Sequence, residues 1–205
     1  MDGLFGFILA GFALLASPGP ATLSLAATGA AFGARGGLGY LAWIMVGVFI
    51  VMGIISTGVM GIMLALPGVA PVLTSLAATY IIFLAYRIAT APPLTDSNNN
   101  DRKPSFFGGM FLNLVNPKAY VILAALFSGF VLLEGPLYLD AAFKILILLM
   151  IVGASNTAWL FIGAALTKLA RDPGTSRTIN VTFAILLVAS VGFAFYSEPW
   201  QPGRV

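Results

Sequence analysis

The chain has 205 residues, 60% of them apolar and 8% charged, with a mean hydropathy of +1.00. Soluble domains carry about 25% charged residues, so a water-facing exterior is excluded and the surface must meet lipid. The net charge of +3 argues against a nucleic-acid partner, and the absence of Cys and His removes thiol chemistry, His-ligated metals and Ser/His or Cys/His catalysis.

A helix needs about 20 apolar residues to cross a hydrocarbon core of about 30 Å, and the chain divides into six such runs. Span 1 covers about residues 4–27 and is interrupted at Ser17-Pro18-Gly19-Pro20. The small residues around this point resemble a signal-peptide cleavage site. A basic n-region is missing, however, and Asp2 stands near the start, so the segment is expected to stay as a span. A Gly-rich loop over 29–37 carries Arg35, and span 2 follows over about 38–66, ending at Pro67-Gly68. Span 3 covers about 72–89, and the polar stretch 91–104 reads as a loop or linker. Span 4 covers about 106–133 and is interrupted at Asn116-Pro117. Span 5 covers about 141–169, the loop 170–177 follows, and span 6 covers about 179–196.

No run alternates as a barrel strand does, so the predicted fold is an all-α membrane protein. Basic residues gather in the 1–2, 3–4 and 5–6 connections, which places those loops in the cytoplasm and both termini outside. Small residues at four-residue spacing, Gly53, Thr57 and Gly61 on span 2 and Gly153 and Thr157 on span 5, are expected to form packing seams.

The two interruptions occupy corresponding places, each in the first span of a three-span half. Proline inside a helix removes a hydrogen bond and frees carbonyls that must find partners in lipid. Proline is also favoured at a first helical position, with Gly or Asn acceptable before it. Each break therefore reads as the start of a second half-helix within the membrane. Paired interruptions of this kind point to the binding site of a secondary transporter built from inverted repeats. The division expected is one membrane domain over 1–205, with repeat 1 at about 1–90, a cytoplasmic linker at about 91–105 and repeat 2 at about 106–205.

Lys118 lies twelve positions into span 4, about 18 Å along a helix. That is too deep for easy snorkelling, and an ionisable residue inside a membrane is a functional candidate by default. Lys144 reads differently. It follows Asp140 by four residues near the outer end of span 5, a favourable helical pair, and is expected to snorkel. Asn113, Asn156 and Asn180 read chiefly as interhelical hydrogen-bond partners. Asn113 stands out because it lies one turn before the break. The candidate substrate-binding set is Pro18, Gly19, Pro20, Asn113, Asn116, Pro117 and Lys118.

These residues resemble the lysine exporter (LysE/RhtB-type) family of bacterial amino-acid exporters. The matching pieces are Ser17-Pro18-Gly19-Pro20, Gly33-x-Arg35-x-Gly37-Leu38, Tyr80 with Tyr86-Arg87, Gly109-x-x-x-Asn113-x-x-Asn116-Pro117-Lys118-Ala119, and Asn180. The resemblance covers the whole chain. It implies proton-driven export of small amino acids or related metabolites across the bacterial inner membrane, without an enzymatic step or a cofactor. The partners expected are an amino-acid substrate and the lipid bilayer; a homodimer is compatible with the sequence.

The two half-helix N-termini and Lys118 together would hold a substrate carboxylate. No acidic residue lies clearly in mid-membrane, so a desolvated Lys118 could itself carry the proton. A dibasic substrate would find no opposite charge there, which favours neutral substrates. Two other readings use the same residues: an intramembrane hydrolase pairing Lys118 with Ser17 or Ser24, and a scaffold subunit that transports nothing.

Overall fold

The computed structural model describes residues 2–58, 69–90, 106–169 and 173–197. Among them all regular structure is helical: α1 Asp2–Leu15, α2 Pro20–Ser56, α3 Val69–Ala89, α4 Phe106–Leu114, α5 Pro117–Gly129, α6 Leu137–Leu169 and α7 Pro173–Ser197. Two helices, Pro20–Ser56 and Leu137–Leu166, are long and apolar enough to cross a membrane, and the bent pair α4 and α5 makes a third candidate with a 61° break. The expected linker over 91–105, the Pro67-Gly68 end of span 2 and Gly61 lie outside the described residues.

The predicted loop over 29–37 is a correction. Those residues are helical except at Gly33, whose φ of 73° and ψ of 165° suit glycine alone. One residue turns the chain back. Ser24 and Tyr40 are sixteen positions apart, about 24 Å along a straight helix. Yet the Tyr40 hydroxyl donates to Ser24 Oγ at 3.3 Å. The two limbs of α2 therefore form a hairpin, closed by its own side chains.

This hairpin is the centre of the fold. It packs most extensively on α6 and next on α4, while α3 and α7 pair beside it. Closest approach falls at glycines. A Cβ on Gly29 would strike the Leu160 carbonyl, and one on Gly163 would strike the Ala26 carbonyl. A Cβ on Gly47 would lie 2.8 Å from the Met110 carbonyl, and one on Gly109 would lie 2.8 Å from that of Tyr40. Such contacts suit helices that lipid does not push together. Among the described residues the seam expected on span 2 has no partner at Gly53, where a Cβ would meet nothing within 4 Å, and Thr57 is exposed. On span 5, Gly153 faces only the flexible end of Met45.

Between the helices lies an apolar core including Leu25, Ile44, Met52, Leu148 and Leu160. Outward, large apolar side chains such as Phe5, Leu9, Phe49, Phe83, Met150 and Ile185 are exposed, as a lipid-facing surface requires.

Span ends also differ from expectation. Span 4 ends at Gly129 rather than near 133, because Phe130 is extended and caps α5. Helix α6 begins at Leu137, so Asp140 is inside it. Lys144 does not snorkel. Both residues are buried and paired at 2.6 Å. Lys144 Nζ also donates to the Phe127 carbonyl at 2.9 Å, while Asp140 Oδ1 accepts from the N–H groups of Leu132 and Leu133 at 2.8 and 2.9 Å. This ion pair thus holds both the end of α5 and the connection to α6. The expected helical spacing is present, but its charges are turned inward to satisfy backbone groups.

Candidate functional site

The break between α1 and α2 exposes a run of backbone carbonyls, and side chains from three places receive them. Ser17 Oγ donates to the Leu14 carbonyl at 2.6 Å. Trp159 of α6 donates its indole N–H to the Ala16 carbonyl at 3.1 Å. Lys118, at the start of α5, donates to the Pro18 carbonyl at 2.9 Å, the Ser17 carbonyl at 3.4 Å and Ser17 Oγ at 2.9 Å. An ammonium has three donors, and here three acceptors surround it. The depth of Lys118 in the sequence thus translates into a bridge between the two breaks.

Gly19 makes the bridge possible. Its backbone is extended, and a Cβ there would lie 2.8 Å from Lys118 Nζ and 3.1 Å from Cδ. The lysine stem runs across the space that a side chain would occupy. The Gly19 N–H donates to Thr22 Oγ1 at 2.8 Å, so the threonine three residues into α2 closes back on the start of the helix. Pro20 brings no N–H. The N–H groups of Ala21 and Thr22 take no hydrogen bond among the described residues, leaving the positive end of α2 open.

The second break is better sealed. Asn116 precedes Pro117 in an extended conformation, and its Oδ1 accepts from the Lys118 N–H at 3.2 Å. The Ala119 N–H bonds to the Asn116 carbonyl at 3.1 Å, and the Asn116 N–H to that of Asn113 at 3.2 Å. Tyr120 donates its hydroxyl to the Leu114 carbonyl at 2.8 Å. The expectation of two equivalent, open N-termini is therefore corrected: the first donors of α5 are occupied by Asn116, and only α2 keeps free ones.

A cleft with about 480 Å³ of empty space, open mouth included, lies between these parts. Of the predicted residues, Gly19, Pro20, Asn113, Asn116 and Lys118 line it. Pro18 contributes a carbonyl to Lys118, and Pro117 starts α5. Asn113 is buried, its Nδ2 donating to the Ile44 carbonyl at 3.4 Å and to that of Gly109 at 3.5 Å. Sequence reasoning had not placed Thr22, Val48, Val152 or Asn156 in the site, yet all four line the cleft. Of these, Asn156 had a signal, a carboxamide in an apolar span, which was read as a helix contact.

The pairing of Lys118 with Ser17 has the spacing a Ser–Lys hydrolase would use, but the protons point the wrong way. Ser17 donates its own proton to Leu14, and Lys118 is held by carbonyls as a donor. Ser24 bonds instead to the Ala21 carbonyl and receives Tyr40.

Comparison with known proteins shows the family. Residues 12–198 match the family described as LysE type translocator. The cysteine/O-acetylserine efflux protein of Escherichia coli (strain K12) is 29% identical over 182 residues, covering 88% of this chain and 91% of that protein. The protein of the same description from Salmonella choleraesuis (strain SC-B67) is 28% identical over 181 residues, with 88% and 91% covered. No solved structure was found to match. With nearly the whole chain matched, this protein belongs to the LysE type translocators, a family of transporters and not of enzymes.

Proposed function

We propose that this protein exports small neutral amino acids or related metabolites, driven by the proton gradient. As a translocator with apolar, lipid-facing helices it is a bacterial inner-membrane protein. The observation that carries the reading is the meeting of two helix breaks at one cleft with Lys118 between them.

The architecture supports it. Helix α1 with the first limb of α2 makes one broken span, and α4 with α5 makes another. The first limb of α2, from Pro20 to the turn at Gly33, matches the length of α5, Pro117–Gly129, and each starts on a proline. With the second limb of α2, α3, α6 and α7 as unbroken spans, the chain forms two three-span halves in one domain, inverted relative to each other. The site lies within one chain, so a monomer and a homodimer both accommodate it.

A substrate carboxylate fits the open end of α2, at the Ala21 and Thr22 N–H groups, with Lys118 adding positive charge nearby. No acidic side chain lines the cleft among the described residues, so the extra cation of a dibasic amino acid finds no counter-charge. The relatives are named for cysteine and O-acetylserine, both small and neutral overall. Lys118 is the one titratable group lining the cleft among the described residues and is the proposed proton carrier.

Reconstituted vesicles test the reading. With an imposed proton gradient, labelled serine or cysteine should move faster than lysine at equal concentration, and collapsing the gradient should stop accumulation. Faster movement of lysine, or accumulation indifferent to the gradient, would overturn it.

A further inference from the structure

Asn156 stands in the cleft wall on α6, and only 3% of its surface is exposed. Its Nδ2 has one contact, with the sulfur of Met45 at 3.9 Å, and sulfur is a weak acceptor. Its Oδ1 takes no hydrogen bond among the described residues. Asn156 Oδ1 is not one of the sealed atoms without a partner, which among the described residues are Thr28 Oγ1, Ser155 Oγ and Asn180 Oδ1, so it keeps a face open to the cleft that Asn156 lines. Val152, one turn before it on α6, and Val48 line the same cleft with apolar side chains. Nothing in the packing of α6 requires an amide here; leucine would match the neighbours better.

The cleft therefore holds two complementary polar features. One is the open, electropositive start of α2 at Ala21 and Thr22. The other is an amide oxygen that lacks a donor. A carboxylate suits the first and an ammonium suits the second, and a zwitterion carries both on adjacent atoms. We infer that Asn156 is a specificity-determining residue whose Oδ1 accepts the α-ammonium of the substrate. The inference rests on the export reading and adds to it the chemical feature selected: an α-amino group, beyond the carboxylate. Asn113 has its Nδ2 committed to backbone carbonyls of α2 and α4, so it holds the wall while Asn156 meets the ligand.

Alanine and lactate make the test pair, because they share a carboxylate and a methyl group and differ in ammonium against hydroxyl. Each is used to inhibit gradient-driven serine transport in vesicles containing the full chain. In the wild type, alanine should inhibit at lower concentration than lactate. In Asn156→Leu, the inhibitory concentration of alanine should rise about ten- to hundred-fold, the loss of one hydrogen bond to a charged group, while that of lactate changes less than about twofold. The isosteric Asn156→Asp keeps the shape and guards against a misfolded leucine variant. It should tighten alanine and make lysine an effective competitor. If Asn156→Leu transports serine with an unchanged alanine-to-lactate ratio, or Asn156→Asp still excludes lysine, Asn156 does not read the ammonium, and the export reading stands. A wild type that moves no amino acid sinks both.

Discussion

The side chain of Lys118 lies across the bare Cα of Gly19, so near that a methyl group there would come within 2.8 Å of the ammonium. The contact joins two helix breaks about a hundred residues apart in sequence. It also separates fold from function, because the group in the way is the movable end of a long side chain. Gly19→Ala should therefore still insert and fold, losing no more stability than removal of the Lys118 side chain does. Transport should fall at least about tenfold, since small displacements at a site can cost that much. Normal transport with a displaced lysine would show that the bridge is incidental.

Lys118→Ala should abolish transport and also loosen the protein, since the Ser17 and Pro18 carbonyls lose their donor. These acceptors are at most partly buried, so the loss should stay below the roughly 1–3 kcal/mol of a fully buried unsatisfied group. Lys118→Arg keeps the charge but spreads it over a planar fork, which cannot point three donors at one cluster of oxygens. It should retain most of the stability and little of the transport. Thermal unfolding in detergent beside vesicle uptake distinguishes the two losses.

The Asp140 and Lys144 pair predicts a non-additive pattern. Asp140→Asn leaves the lysine uncompensated and weakens its hold on the Leu132 and Leu133 N–H groups; Lys144→Met leaves the aspartate uncompensated and frees the Phe127 carbonyl. Each single change should destabilise by about 1–3 kcal/mol. The double change should cost clearly less than the sum, as expected when both charges are removed together. Additive losses in a thermal assay would show that the two do not act as a pair.

Glycine position predicts tolerance. Gly163→Ala drives a methyl into the backbone carbonyl of Ala26, which cannot yield without moving a helix. It should leave little folded protein. Gly53→Ala enters open space and should be neutral or stabilising by up to about 1 kcal/mol, the difference in helix propensity. Fluorescence-detected size exclusion of the two variants gives the comparison.

Orientation is tested by reporter fusions. Those after Asn99 and after Gly174 should report the cytoplasm, and one after Pro136 the outside. The reverse pattern would invert the assignment of the termini.

Much of the site was legible because proline leaves no choice. Pro20 and Pro117 each remove a donor, so a break had to fall near them, and a lysine one residue after the second break had to find acceptors. What could not be read was which acceptors, since Ser17 and Pro18 reach Lys118 only through the packing of separate helices. The one-residue turn at Gly33 was hidden for a different reason. Four glycines within nine residues, Gly29, Gly33, Gly36 and Gly37, suggest a loop, yet only Gly33 leaves the helical φ/ψ range. The packing seams failed because four-residue spacing marks a face without saying what lies opposite. Gly29 and Gly163 are close only because Ala26 and Leu160 face them. Asn156 was passed over because an amide in an apolar span is ordinarily met by another helix, and here its oxygen is not.

Lys118 and Lys144 differ in when their partners exist. Asp140 and Lys144 belong to neighbouring turns of one helix, so their charges cancel as soon as that helix forms, before any neighbour is in place. Lys118 cannot be matched within its own helix. It leaves the ribosome 101 residues after Ser17, by which time the first span and its exposed carbonyls have already been made. The order of synthesis thus offers each cation its partner on arrival, and neither need cross the lipid boundary as a bare charge.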